Sequence, residues 1–288
     1  MKLNLITRAT LCVSALLAIT ALGACGSSPR AQIPMARPTV LNSSPSTASE
    51  MHIANTALQG GNVQMAASIY ERELAAHPDS TEALLGLADT LYLAGDMNRA
   101  RSMYERAGAI AKGARGPRIG LARVAVHERR FADAIELYQP LVAANPADAV
   151  AWAGLGAAYD LSGRHHDAQD AYRRGLETTP GDVALRSNLG LSLILDGQPR
   201  EGANLLLDVA NGPSAPPQAR QNLALAYGVL GNDEAAGRIL SIDLPKGSVN
   251  DDLRYYSAVR DLLAKQAPAD KPSPRGPSAT DMRISPIE

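Results

Sequence analysis

The sequence predicts an all-α protein. About six helix–turn–helix units of about 34 residues wind into a right-handed superhelix, and a C-terminal capping helix closes it. Three observations carry this. Small residues recur at the eighth place of each unit: Ala54, Ala88, Ala122, Gly156, Gly190 and Ala224. They recur again at the twentieth place: Ala66, Ala100, Ala134, Ala168, Gly202 and Ala236. The seventh place holds Ile53, Leu87, Leu121, Leu155, Leu189 and Leu223, with no insertion between units. Two helices that cross closely at the small positions would be forced apart by a larger side chain, at a cost of roughly 1–3 kcal/mol. The apolar residue beside the crossing fills the core. No stretch alternates polar and apolar as a strand would.

Before the repeats, residues 1–24 read as a bacterial export signal. Lys2 and Arg8 supply the charged start, and Leu11 to Ile19 supply an apolar run too short to span a bilayer. The run ends in Leu22-Gly23-Ala24-Cys25, which resembles a lipobox. That resemblance implies cleavage before Cys25, a diacylglycerol on its sulfur and acylation of the new amine. Several acyl chains, at about 0.8 kcal/mol per buried methylene, give stable anchoring. Gly26 follows the cysteine, with no Asp there to favour the inner membrane, so the expected location is the outer membrane, facing the periplasm. The competing reading is an ordinary secretory signal with a chance cysteine. Residues 25–46, rich in Ser, Pro, Ala and Thr, read as a flexible tether.

The units run near 47–80, 81–114, 115–148, 149–182, 183–216 and 217–250. Gly61, Gly95, Gly163, Gly197 and Gly231 stand where the first helix turns into the second, a place for a left-handed residue. The third unit has Arg129 there, and Pro140 within its second helix predicts a shortened or kinked last turn. Pro78, Pro146 and Pro180 end second helices. Past Leu240 the period fails. Leu244-Pro245-Lys246-Gly247 reads as a loop, residues 251–266 as the capping helix started by Asn250 or Asp251, and the proline-rich 267–288 as a disordered tail.

The fourth unit names the repeat. Trp152, Leu155-Gly156 and Tyr159 on a first helix, then Ala168, Tyr172 and Pro180 on a second, resemble the tetratricopeptide repeat (TPR). Ala88 and Ala100 hold the same structural positions as Gly156 and Ala168 two units earlier. The resemblance implies a binding scaffold whose concave wall is built by the first helices. On that wall the sequence places Asn55, Asp89, Tyr92, Arg123, Asn188, Leu191 and Asn222 as candidate contacts. It also places Met51, Ile119, Ser187 and Ile194 there, and the wall becomes apolar toward the fifth unit. An amphipathic helix or extended peptide suits it better than a charged polymer. Packing between units is the competing reading for Leu191 and Ile194. Chaperone-binding TPR domains use an Asn at the sixth place, with Lys and Arg nearby, to hold a peptide carboxylate. Here Asn188 and Asn222 lack those cations except Arg123, so the expected role is hydrogen bonding to a ligand backbone.

Composition excludes several classes. Lys and Arg number 28 against 29 Asp and Glu, a net charge of −1, and removing Lys2 and Arg8 takes it to −1 − 2 = −3. Neither value suits nucleic acid. Cys12 and Cys25 both precede the repeats, so they build no disulfide framework or zinc site. Adjacent His165 and His166 cannot face one ion from a helix, and they read as solvated turn residues. Gly154-x-Gly156 lacks the third glycine and the preceding strand of a nucleotide loop. No nucleophile–base set emerges, so neither enzyme activity, metal, cofactor nor small-molecule substrate is expected.

The closing run Asp251-Asp252-Leu253-Arg254-Tyr255-Tyr256-Ser257-Ala258-Val259-Arg260 is similar to the terminal N-L-x-Y-Y/F-x-x-x-R helix of TadD-like TPR lipoproteins, with Asp252 where Asn is more usual. Together with Cys25 and the repeats, it resembles that family of the tight-adherence (Tad/Flp) pilus systems. The resemblance implies a lipid-anchored assembly factor acting on the secretin, or on another pilus component, as a pilotin does. A type IVa pilus or secretion-system pilotin, and an outer-membrane or cell-wall assembly scaffold, share the anchor and the repeats.

Overall fold

The structure, a computed structural model, describes residues 47–212 and 215–266. The segments read above as signal, tether with Cys25 and C-terminal tail lie outside them. Among the described residues there are helices and no strand. They run in pairs: α1 (Thr47–Gln59) and α2 (Val63–Ala76), α3 (Thr81–Leu93) and α4 (Met97–Ile110), α5 (Arg115–His127) and α6 (Phe131–Ala144), α7 (Ala149–Leu161) and α8 (His165–Thr178), α9 (Val183–Leu195) and α10 (Pro199–Ala210), α11 (Pro217–Val229) and α12 (Asp233–Asp243). The last, α13 (Lys246–Gln266), packs on both α11 and α12.

The helix starts are chemically marked. Asn62, Ser80, Asp96, Asp148, Asp182 and Asn232 each accept a hydrogen bond from the backbone N–H three residues on. Pro199 and Pro217 open α10 and α11, where the missing N–H costs nothing. Asp148 does more than cap α7. The Arg115 guanidinium from the start of the preceding unit makes a two-pronged contact with it, one N–H···O at 2.8 Å. That hydrogen bond holds the Asp148 carboxyl below the usual range although the residue is buried.

Both small-residue columns are buried. Ala54, Ala66, Ala88, Ala100, Ala122, Ala134, Ala168, Ala224 and Ala236 have no exposed surface. At the glycine crossings the tightness is direct: a Cβ on Gly202 would stand 2.6 Å from the Gly190 carbonyl oxygen. The seventh-place column fills the core at Leu87, Leu155, Leu189 and Leu223, with Leu121 half-buried. Ile53 departs from the expectation and is 43% exposed; among the described residues no second helix precedes the first unit to cover it.

A further column becomes visible only in three dimensions. Gly86, Gly120 and Gly154 stand at the sixth place, and a Cβ there would fall 2.3, 2.2 and 2.3 Å from the rings of Tyr70, Tyr104 and Tyr138. Each ring thus reaches from one unit into a seat on the next. In the fifth unit Asn188 occupies that seat. Tyr172 lies over Gly156 of its own unit, 2.3 Å from where a Cβ would be. The Gly154-x-Gly156 pair is therefore two tyrosine seats, one for each neighbouring second helix.

Three expectations are corrected. Helix α6 keeps its full 14 residues through Pro140, as long as α2, α4 and α8, so its last turn is not shortened. The capping helix begins at Lys246 rather than near Asp252, so Lys246 and Gly247 are helical and only Leu244 and Pro245 connect. Packing of Val249 against Ala236 and Leu240 extends it toward its N-terminus, which the local sequence did not advertise. His165 and His166 open α8 rather than sit in the turn, and His165 is partly buried.

All the turn glycines have positive φ, and Arg129 takes the same place at φ 62°, the one non-glycine residue to do so among the described residues. A side chain there costs about 1–2 kcal/mol. Arg129→Gly is expected to stabilise the protein by about 1 kcal/mol, less a small loss from the Arg129–Phe131 ring contact at 5.7 Å. Chemical denaturation checks the sign.

Candidate partner-binding wall

Successive first helices touch: α1 with α3, α3 with α5, α5 with α7, α7 with α9 and α9 with α11. Among the described residues, successive second helices show no comparable contact. The stack therefore closes on the side of the first helices, and these make the inner wall.

The wall has two chemically different parts. In the first three units it is polar and aromatic. Exposed Asn55 accepts a hydrogen bond from the Tyr70 hydroxyl at 2.6 Å, and Asp89 accepts one from Tyr104 at 2.5 Å. The tyrosine that locks one unit to the next thus also fixes the side chain that faces the wall. Arg123 stands 3.5 Å from Asp89, with its guanidinium 4.3 Å above the Tyr92 ring. His127 meets Tyr92 edge-on, with ring centroids 6.4 Å apart. Burial, then the bonded Asp89, pushes the Tyr104 hydroxyl far up, so it stays a neutral donor. Burial, the largest cause, pushes Tyr138 up to about 12, with Arg123 opposing it.

In the fifth and sixth units the wall offers Asn188, Leu191, Gln221 and Leu225, all half-buried. Asn222 departs from the expectation. It is 4% exposed, accepts a hydrogen bond from Gln218 at 3.3 Å, and donates to the Ser187 carbonyl of α9 at 3.4 Å. It joins two first helices and is closed to a ligand. Met51, Ile119 and Ser187, at the fifth place of their units, and Ile194, at the twelfth, are likewise buried. The wall thus reduces to Asn55, Asp89, Tyr92 and Arg123 on one side, and Asn188, Leu191, Gln221 and Leu225 on the other.

Between them lies a polar cluster that the sequence reading missed. Asp160 of α7 accepts from Tyr172 at 3.0 Å and from Ser192 of α9 at 2.7 Å, and it meets His165 Nδ1 at 2.8 Å. The signal was present as an acid at a place where Leu58 and Tyr92 stand in earlier units. It has no meaning until the partners from α8 and α9 are known.

The remaining repeat positions are structural. Trp152 is buried and donates from Nε1 to the Pro146 carbonyl at 2.9 Å, and Thr178 donates to the same oxygen at 2.9 Å. Tyr159 is half-buried beneath the Arg164 guanidinium at 4.5 Å. Pro180 is exposed in the turn after α8. Trp152, Leu155 and Tyr159 also floor an open groove of ≈ 610 Å³ between α6 and α8, on the second-helix side. Among the described residues no group of acids, histidines or cysteines is arranged to hold a metal ion. No helix among them is long and apolar enough to cross a membrane.

Comparison with known proteins agrees with this geometry. The tetratricopeptide-repeat family profile matches residues 57–123, 91–159 and 125–189. No curated protein matches the sequence. A tetratricopeptide repeat protein from Parabacteroides merdae is similar in structure, with a TM-score of 0.62 at 12% identity over 73% of this chain and 84% of that one. A thermophilic TPR protein from Thermus thermophilus gives 0.54 at 22% identity over 64% of this chain and 100% of its own. A chain of the APC/C hetero-tetramer Cut9-Hcn1 gives 0.64 at 16% identity, over 73% and 42% of the two chains. At these identities the likeness is one of fold. Repeat columns, paired helices and matched residues together make this chain a tetratricopeptide-repeat superhelix, the fold of a protein–protein interaction scaffold.

Proposed function

We propose that this array is a lipid-anchored scaffold of the outer membrane, facing the periplasm, that grips a protein component of Tad/Flp pilus assembly and acts on the secretin as a pilotin does. The observation that carries the reading is Leu22-Gly23-Ala24-Cys25 ahead of a Ser/Pro-rich tether and a repeat array. A lipid on Cys25 keeps the wall within reach of the membrane, so a gripped segment is held there at high effective concentration. The wall suits an extended or amphipathic segment, with polar and aromatic contacts at Asp89, Tyr92 and Arg123 and an apolar contact at Leu191 and Leu225.

The terminal run shared with TadD-like lipoproteins has a structural role that fits this reading. Tyr256 of α13 packs on Gly228, where a Cβ would stand 2.6 Å from its ring. Arg260 donates to the Gly228 carbonyl at 2.8 Å and pairs with Asp233 at 3.2 Å. The run is thus the seal on the sixth unit, and it leaves the wall free for the partner.

The test is fractionation of cells carrying wild-type protein, a deletion or Cys25→Ser, probed for secretin multimers in the outer membrane. Loss of multimers in both mutants is the expected result. Loss in the deletion alone makes the lipid dispensable. Unchanged multimers in both overturn the secretin partner and leave a cell-wall or membrane-assembly scaffold.

A further inference from the structure

We propose that the joint between the fourth and fifth units is a proton-sensitive clamp, in which Asp160, His165, Tyr172 and Ser192 hold the two units more firmly when His165 is cationic. The clamp stands between the polar and apolar parts of the wall, so its firmness governs how rigidly a partner spanning both is received.

The geometry differs from the joints before it. Tyr70 and Tyr104 cross to a glycine seat on the next unit, and their hydroxyls bond back to Asn55 and Asp89. At the fourth unit the seat is taken by Asn188. Tyr172 bonds back to Asp160 instead, and Ser192 reaches across from α9 to supply a bond between the units. The Ser192 hydroxyl, fully buried, bonds to Asp160 at 2.7 Å and lies 3.4 Å from the His165 carbonyl. Asp160 thereby gathers contacts from two units, and His165 Nδ1 stands 2.8 Å from the same oxygen that takes the Ser192 bond.

The charges around His165 all point one way. From α7 it faces Asp160, and from the end of α9 it faces Asp196. On its own helix, His166 lies 3.5 Å from Asp196, and Asp167 is paired with Arg164 at 2.7 Å. The Arg164 guanidinium is therefore already engaged. Tyr172 is neutral, since burial and Asp160 push its hydroxyl well up. A proton on His165 meets acids from both packed elements, and the hydrogen bond to Asp160 raises its pKa above the ordinary 6.5 despite partial burial. A raised histidine stabilises the folded state fully below its unfolded pKa, and that contribution is lost as pH rises through the folded value. The clamp is therefore firm in mildly acidic solution and relaxes in mildly alkaline solution. Asp148, whose carboxyl is held down by Arg115, titrates below this window.

The test uses the full chain, with His165 followed by NMR and denaturation midpoints taken at about pH 5.5 and about pH 8. His165 is expected to titrate above 6.5, and the midpoint to fall at the higher pH. That fall should shrink in His165→Gln and persist in His166→Gln, whose ring is 84% exposed. Amide protection in α9, corrected for intrinsic exchange, should fall with rising pH more than protection in α3. A His165 titration at or below 6.5, or an unchanged fall in His165→Gln, overturns the proposal. Equal loss of protection in α3 and α9 also overturns it, since the effect would then not belong to this joint.

Discussion

Replacing Tyr104 with Ala is expected to cost about 3–5 kcal/mol, the loss for a large buried ring that its surroundings cannot fill. Tyr104 is 1% exposed, lies against Gly120 of the third unit, and donates to Asp89. One substitution thus removes the filling between the second and third units and frees a wall carboxylate. Because a repeat array is held by nearest-neighbour interfaces, the damage should appear as early loss of the first two units, with the later ones unfolding afterwards. Denaturation followed by circular dichroism and by the fluorescence of Trp152, in the fourth unit, separates the two phases. A single coincident transition with wild-type midpoint would show that the ring carries no coupling.

The same seat predicts a reversal of sign. Gly120→Ala places a Cβ 2.2 Å from the Tyr104 ring, so it destabilises the wild type although Ala favours a helix by about 1 kcal/mol. In the Tyr104→Ala background the seat is empty, and Gly120→Ala should become neutral or stabilising. Additive effects in that double-mutant cycle would mean the two residues do not interlock.

Gly202→Val is expected to be the other large loss, about 3 kcal/mol. Its Cβ would stand 2.6 Å from the Gly190 carbonyl oxygen and 2.7 Å from Ile194 Cγ1. Backbone cannot swing aside as a side-chain tip can, so α9 and α10 must separate, and the fully buried Leu206 and Ile194 lose contacts with them. Gly237 is the internal control. It is also helical, but a Cβ there meets Leu253 at an ordinary 3.5 Å. Gly237→Ala should therefore stabilise by about 0.5–1 kcal/mol. Equal behaviour at the two positions in thermal unfolding would remove close helix crossing as the reason for the glycine at 202.

Several features were legible along the chain because each repeats with the period. The small crossings at Ala88 and Ala100, the turn glycines and the terminating prolines are local requirements that every unit must satisfy, so repetition itself identifies them. Arg129 was legible for the same reason: it stands where the other units have glycine, and it adopts their backbone. Sequence by itself therefore determined the all-α repeat, the places of the crossings and which helix of each pair faces inward.

Tertiary structure alone decided the contacts between units. Asn222 reads as a wall residue by its place in the repeat, yet it is buried because Ser187 of the preceding first helix comes within reach of its amide. Ile53 occupies a core column and is exposed, with no helix before its unit among the described residues. Asp160 looks like an isolated acid until α8 and α9 bring a tyrosine, a histidine and a serine to it. The capping helix starts early because Val249 finds apolar partners about a dozen residues back along the chain. In each case the deciding energy is a desolvation or a hydrogen bond supplied by a neighbouring element. A pattern that treats the units as equivalent carries no record of which neighbour is present.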